Sequence, residues 1–313
     1  MKYRNALPQL HGKKMMADGG LETVLVFKEG IDLPLFAAFK ALETEAGVAA
    51  ITRYFDQMAQ IAVETGRGFI MDTPTWRASS KWGAELGLST TELKKIHREA
   101  IDSFVKLREK FETPQSPFVI NGLVGPHGDG YAPETELSVK EAQNYYAEQV
   151  GWFNEMGADM VTGMTITSIS EGIGIVKAAQ AVSIPSVVSF TVETDGSLPS
   201  GEGLAEAIYA VDRATDGAAA YFMINCAHPE HFLDVIGGNG DWLERIWGLR
   251  ANASRLSHAE LDEAEELDDG DPLELGQLYR RVSDLLPNLT VVGGCCGTDH
   301  RHIKEICAAL DAD

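Results

Sequence analysis

Apolar residues in this sequence gather into eight runs of strand length, separated by segments in which apolar positions have helical spacing. The first predicted helix spans about residues 43–65. Ser89 or Thr90 could cap a second helix, with Glu92 nearby, and a third is predicted to start near Ser138. The predicted strands span residues 14–18, 68–73, 118–125, 159–165, 185–192, 219–226, 247–253 and 290–296.

Continuous apolar runs are typical of parallel strands that are buried on both faces. Their alternation with helices predicts the α/β class, and eight repeats predict a closed (βα)8 TIM barrel. No linker divides the chain, so residues 1–313 are expected to form one barrel domain. In such a barrel the functional groups lie where the strands end and the following loops begin.

Two adjacent cysteines, Cys295 and Cys296, follow a Gly-Gly pair at the end of the eighth predicted strand. Neighbouring residues on a regular strand point to opposite faces, so both thiols can face one point only if the backbone turns sharply. The glycines on either side permit that turn. Adjacent cysteines are poorly placed for a disulfide, and the pair is therefore predicted to bind a metal.

Cys226 supplies a third sulfur at the end of the sixth predicted strand. Three thiolates leave one position of a tetrahedral zinc site open, as in catalytic rather than structural zinc. We therefore predict a Zn²⁺ site formed by Cys226, Cys295 and Cys296; the alternative is that all three are buried core thiols. Cys307 lies at helical spacing among apolar residues and is predicted to belong to the core.

An open zinc position beside three thiolates suits the binding of a substrate thiol better than it suits hydrolysis. A free thiol with a pKa of about 8.5 is only slightly ionised at neutral pH, so full ionisation is worth about 2 kcal/mol. The remaining rate must come from aligning the sulfur with an electrophilic carbon. The predicted site therefore indicates transfer of an alkyl group to a thiol.

The formal net charge of -21 argues against binding to nucleic acid or to anionic membranes. No run of eighteen apolar residues occurs, and the first residues lack the apolar segment of a signal peptide. Four cysteines without such a signal fit a reducing compartment. A cytoplasmic location is therefore expected.

The sequence resembles the homocysteine S-methyltransferase family over nearly its whole length. The matching segments are residues 18–23, 124–126, 225–226 and 293–298, which read DGGLET, VGP, NC and GGCCGT. The resemblance implies a zinc-dependent (βα)8 barrel in which the residues matching Cys226, Cys295 and Cys296 bind zinc. It also implies that the residue matching Asp18 helps to hold the amino group of homocysteine.

One position departs from the family pattern. Members usually carry a Glu-Thr pair at the end of the fourth strand, whereas this chain has Met164 followed by Thr165. A thioether cannot form a salt bridge with an ammonium, so either Asp18 binds the ammonium with other help or the thiol differs from homocysteine. The predicted substrate-binding residues are Asp18, Gly19, Met164, Thr165 and Asn225.

These features predict transfer of a methyl group from a small onium donor to homocysteine, giving methionine. S-methylmethionine is the first choice of donor and S-adenosylmethionine the next, with betaine or another sulfonium as alternatives. Two further hypotheses stay open: a different small thiol or selenol as acceptor, and a zinc- and thiol-binding barrel without turnover.

A strongly acidic segment, residues 257–272, interrupts the pattern of short loops. It could be a solvated surface segment, or a loop over the barrel mouth that orders on substrate binding or packs against a second subunit. Aromatic residues near the predicted strand ends could surround a cationic donor or could simply pack. They are Trp76, Tyr131, Phe190 and Trp247.

Overall fold

Eight parallel strands form a closed barrel in the computed structural model, which describes residues 1–131 and 136–312. Each strand pairs with the next along the chain, and closure is made at the first strand, where Met15 pairs with Gly68 on one side and Val291 on the other. The strands are β1 (Met15–Met16), β2 (Gly68–Asp72), β3 (Phe118–Val124), β4 (Met160–Ile166), β5 (Ser186–Phe190), β6 (Tyr221–Asn225), β7 (Ile246–Ala251) and β8 (Val291–Gly294). The predicted (βα)8 barrel is confirmed, with most strands shorter than predicted.

A helix follows every strand. In chain order these helices are Glu45–Glu64, Thr90–Phe111, Val139–Met156, Ile169–Ala181, Leu204–Thr215, Leu233–Ile236, Pro272–Leu285 and His300–Asp311. Additional short α-helices are Leu21–Thr23, Ser80–Glu85 and His258–Asp262. The helix predicted after Ser89 begins with a capping box, because the Ser89 side chain accepts from the amide of Glu92 and the Glu92 carboxylate accepts from the amide of Ser89. The same arrangement at Ser138 and Glu141 starts the helix after β3.

The barrel interior is apolar near the amino ends of the strands. The next layer of inward side chains, toward the carboxyl ends, is polar. Because side chains alternate along each strand, one set of inward positions forms a closed apolar plug and the next set forms the floor of the mouth. The plug residues are Leu7, Met15, Ile70, Val119, Met160, Val187, Tyr221, Met223 and Val291. The polar floor above them includes Asp72, Asn121, Thr162, Ser189, Asn225 and Arg250.

Among the described residues, no helix has the length and apolar character needed to cross a membrane.

His97 lies between the helices Thr90–Phe111 and Val139–Met156, and its protonation makes the stability of the fold depend on pH. Its ring is buried, its Nδ1 donates to the carbonyl of Leu93 at 2.8 Å, and its Nε2 lies 3.2 Å from Nε2 of Gln149. Burial lowers the pKa of His97 to about 4. The unfolded chain therefore binds a proton between about pH 6.5 and pH 4 that the native state does not, so the free energy of unfolding falls as the pH falls.

Replacing His97 with Gln is expected to remove this dependence, which amounts to about 3 kcal/mol across that range. The measurement is urea denaturation of the variant and the wild type at pH 7 and pH 4. The exposed His11 provides the matched control, because His11→Gln should retain the wild-type difference. A His97→Gln protein that lost as much stability on acidification as the wild type would contradict the assignment.

Candidate metal centre

Cys226 lies immediately beyond β6 in a left-handed backbone conformation, with a φ of 56°. This conformation is uncommon for a residue other than glycine. The Cys226 amide still donates to the carbonyl of Arg250 on β7 at 3.0 Å. The turn therefore begins at the sheet edge, and both Asn225 and Cys226 make contacts within the same site.

The turn after β8 brings in the other two thiols. The Cys295 amide donates to the carbonyl of Ala251 at 2.9 Å, and the carbonyl of Cys295 accepts from the amide and hydroxyl of Thr298. Gly294 packs so closely here that a Cβ would lie 2.0 Å from Oγ1 of Thr298. Gly297 has a φ of 80°. The glycines are therefore required for the sharp turn predicted at this point.

The three predicted ligand cysteines converge. Sγ of Cys226 lies 3.7 Å from Sγ of Cys296, and the three sulfurs of Cys226, Cys295 and Cys296 all lie within 4.8 Å of one another. All are free thiols. A set of three sulfur donors at this spacing fits a thiophilic metal ion. Cys307 is fully buried within the main apolar cluster, as predicted.

Tyr131 closes one side of the thiol cluster. Its hydroxyl oxygen lies 3.0 Å from Sγ of Cys226 and 3.3 Å from Sγ of Cys296. Its ring stacks on the imidazole of His258 with centroids 4.3 Å apart, and His258 in turn contacts the carbonyl of Cys226 at 2.8 Å. The sequence had indicated only a possible role for Tyr131 in an aromatic surround. Its contact with two sulfurs depends on the path of the loop after β3, which local sequence patterns do not predict.

Arg250 is a buried cation beneath the thiols that sequence reasoning missed. Its guanidinium forms ion pairs with Asp72 and with Asp18, and its Nε donates to the carbonyl of Gly294 at 3.0 Å. Asn121 extends the network by donating to Asp72 at 2.6 Å. The signal in the sequence was a charged residue inside each of two apolar runs, at positions that alternate with apolar inward residues.

Asp18 belongs to this buried network. Its carboxylate is bound by Arg250 and by the hydroxyl of Tyr54, the latter at 3.2 Å, and the side chain is not part of the cavity wall. Burial raises the pKa of Asp18, and the charge of Arg250 opposes that rise. The role of Asp18 in holding an ammonium stays a prediction.

The other predicted substrate-binding residues lie around the mouth. Gly19, Met164 and Thr165 line the cavity. Thr165 has a φ of 62°, and its amide donates to Oδ1 of Asn225 at 3.0 Å. Nδ2 of Asn225 donates to Oγ1 of Thr165 at 2.8 Å. Asn225 therefore ties the end of β4 to the end of β6, directly beside Cys226.

The cavity above the thiols has a volume of about 360 Å³. Trp76 and Tyr131 form part of its wall, whereas Phe190 packs against Phe222 and Trp247 packs against Tyr221. Residues of the acidic segment cover the outer part. These are Leu261, Asp262, Ala264, Glu266, Leu267 and Asp268. The segment thus lies over the barrel mouth, with many of its residues exposed. Its ordering on substrate binding, or its packing against a second subunit, stays a prediction.

Two ionisable groups at the cavity, Glu22 and Cys295, have pKa values shifted from their usual range. Glu22 lines it, and burial raises the pKa of Glu22 to about 7, with further contributions from the negative charges of Asp18 and Cys295. Hydrogen bonds from the other two thiols hold the pKa of Cys295 well below its usual value, with help from the charge of Arg250.

The chain matches the family described as "Homocysteine S-methyltransferase" over residues 15–310. It belongs to the homocysteine S-methyltransferase family, and it is a methyltransferase, as the sequence motifs predicted. None of the curated proteins compared matches the sequence.

Two structures of the homocysteine methyltransferase MmuM from Escherichia coli are similar in fold. The oxidised form has a TM-score of 0.75 and 19% sequence identity, with 97% of this chain and 99% of that chain covered. The metallated form has a TM-score of 0.73 and 18% identity, with 96% and 98% covered.

Proposed function

We propose that this protein is a zinc-dependent S-methyltransferase that moves a methyl group from a small onium donor to the thiol of homocysteine, giving methionine. The observation that carries the proposal is the convergence of three free thiols at the floor of a cavity in a member of this family. Three protein ligands and one open position are typical of catalytic zinc.

Cys226, Cys295 and Cys296 are the residues that would hold the Zn²⁺ ion. Bound there, zinc would supply a place for the substrate sulfur and would favour its thiolate over its thiol. The buried Arg250 and Asn225 support the cysteines from below, since Arg250 donates to the carbonyl of Gly294 and Asn225 lies 3.9 Å from Sγ of Cys295. Such supporting contacts orient ligands.

In the proposed reaction the homocysteine thiol first loses its proton to solvent water. Its sulfur then attacks the methyl carbon of the donor, a new carbon–sulfur bond forms, and the bond between that carbon and the onium atom breaks. The onium atom keeps the bonding electron pair, so a sulfonium donor leaves as a neutral thioether. An anion and a cation react to give two uncharged sulfides, and this step is favoured in a cavity from which water is excluded.

The cavity wall suits a cationic donor. Exposed carboxylates of the acidic segment, Asp262 and Glu266, face the outer part of the cavity. The ring of Trp76 also lines the cavity, and one cation, the guanidinium of Arg77, already lies over it at 4.1 Å from the centroid. S-methylmethionine is the preferred donor in this proposal and S-adenosylmethionine the second. Betaine and other sulfonium compounds are the alternatives.

The test is methionine formation by zinc-loaded protein, measured by mass spectrometry. Homocysteine is supplied with S-methylmethionine, S-adenosylmethionine, betaine or dimethylsulfoniopropionate in separate reactions. Methionine is expected with a sulfonium donor. Absence of methionine with every donor, in protein shown to contain zinc, would contradict the proposal and favour a different thiol or selenol acceptor, or a zinc- and thiol-binding barrel without turnover.

A further inference from the structure

The side chain at the end of β4 cannot bind an ammonium in this protein. Met164 lines the cavity where members of the family usually carry a carboxylate, and its thioether cannot form a charged hydrogen bond. The carboxylate of Asp18 is bound within the protein by Arg250 and Tyr54 and is 3% exposed. Neither Met164 nor Asp18 therefore presents an exposed carboxylate to an amino group in the cavity.

Glu22 is a carboxylate that does line the cavity. Among the described residues, no side chain of another residue donates a hydrogen bond to it, and its carboxylate accepts only from its own backbone amide. Two cations lie nearby: Arg250 is paired with both Asp18 and Asp72, and Arg77, whose charge interacts with that of Glu22, is paired with Asp129. Within the described part of the chain Glu22 has no ion pair of its own, and burial penalises its charged form.

The backbone on both sides of Glu22 is fixed against the cysteine turn. Gly20 packs against Cys295 so closely that a Cβ would lie 2.5 Å from the carbonyl oxygen of Cys295. On the other side, Oγ1 of Thr23 accepts from the amide of Gly297 at 3.2 Å. Glu22 is thus held beside the thiols by its neighbours, on a short helix at the cavity wall.

The other carboxylates around the cavity differ in position or in pairing. Asp129 forms an ion pair with Arg77, and Asp268 accepts from the hydroxyl of Ser254. Asp262 and Glu266 are exposed residues of the acidic segment. Glu22 is therefore the cavity carboxylate best placed to meet a cation close to the thiol cluster.

We propose that Glu22 binds the ammonium group of the thiol substrate and so selects a small thiol that carries a primary amine. This inference rests on the proposed function, because it concerns the acceptor of the same site. The carboxylate gains a partner for its charge, and an acceptor thiol whose amine reaches Glu22 is preferred over one without an amine.

The test compares homocysteine with 4-mercaptobutyrate, which has the same carbon chain without the amino group. Binding of each thiol to zinc-loaded protein is measured by calorimetry, and methyl transfer is measured in parallel. The wild type is expected to bind homocysteine more tightly. Glu22→Gln is expected to weaken homocysteine binding by roughly 10- to 100-fold, the worth of a charged hydrogen bond, while binding of 4-mercaptobutyrate changes by less than about twofold.

Glu263→Gln is the matched control, since Glu263 is exposed and lies outside the cavity wall. It should leave the preference for homocysteine unchanged. Equal binding of the two thiols by the wild type, or an unchanged preference in Glu22→Gln, would overturn the inference. Loss of the preference in Asp18→Asn alone would assign the ammonium to Asp18 instead.

The two proposals fail in different ways. An amine preference that Glu22→Gln abolishes, in a protein that forms no methylated product, would support the ammonium site and contradict the proposed reaction. Methyl transfer by a protein whose preference for the amine is unchanged in Glu22→Gln would support the proposed reaction and contradict the ammonium site. Binding of neither thiol would overturn both.

Discussion

Replacing Cys295 with Ala is expected to remove both bound zinc and methyl transfer. The variant loses one of three sulfurs that lie within 4.8 Å of one another, and two thiolates alone make a poor zinc site. Loss of a residue that only supports a metal-binding side chain costs roughly 10- to 100-fold in metal affinity or activity. Loss of a metal-binding cysteine itself should therefore cost more. Zinc content after dialysis and methionine formation are the two measurements.

Cys307→Ala is the control for this prediction. Cys307 is fully buried in the apolar cluster, so its loss should lower the free energy of unfolding by about 1 to 2 kcal/mol while zinc content and turnover stay unchanged. Retention of zinc and activity in Cys295→Ala would show that the ligand set is wrong.

Replacing Arg250 with Met is expected to lower the free energy of unfolding more than either Cys307→Ala or Arg255→Met does. The guanidinium is buried between Asp18 and Asp72, and its removal leaves two buried carboxylates without their cation. Breaking a buried ion pair by removing one partner costs roughly 3 to 5 kcal/mol. Urea denaturation of the zinc-free proteins measures the change without a contribution from metal binding.

Arg255→Met provides the comparison, because Arg255 also contacts two carboxylates, Glu230 and Glu274, but lies at the surface. Exposed ion pairs contribute about 1 kcal/mol or less. Equal destabilisation by the two substitutions would contradict the role given to the Asp18, Arg250 and Asp72 network.

The fold was predictable because its signals are local. Strands buried on both faces read as continuous apolar runs, and the helices between them keep regular spacing and recognisable caps. The strand ends were less predictable. Cys226 itself adopts a left-handed backbone conformation, so the sixth strand stops one residue earlier than predicted. This conformation follows from the three-dimensional path of the chain, which the local sequence does not report.

The thiol cluster was predictable for a different reason, since parallel strands place their carboxyl ends at one edge. The network beneath it was not, because it joins residues that are distant in sequence. Asp72 and Arg250 are 178 positions apart, and each is a single charged residue in an apolar run. The acidic composition of residues 257–272 fits a solvated segment and a cover over the mouth equally well, so the sequence alone could not choose between them.

Zinc-edge X-ray absorption on the zinc-loaded protein, with and without selenohomocysteine, tests the central claim most directly. The account predicts three sulfur neighbours of zinc in the absence of substrate and an added selenium neighbour in its presence. Fewer than three sulfur neighbours, or no selenium neighbour under conditions in which the protein forms methionine from homocysteine, would contradict it.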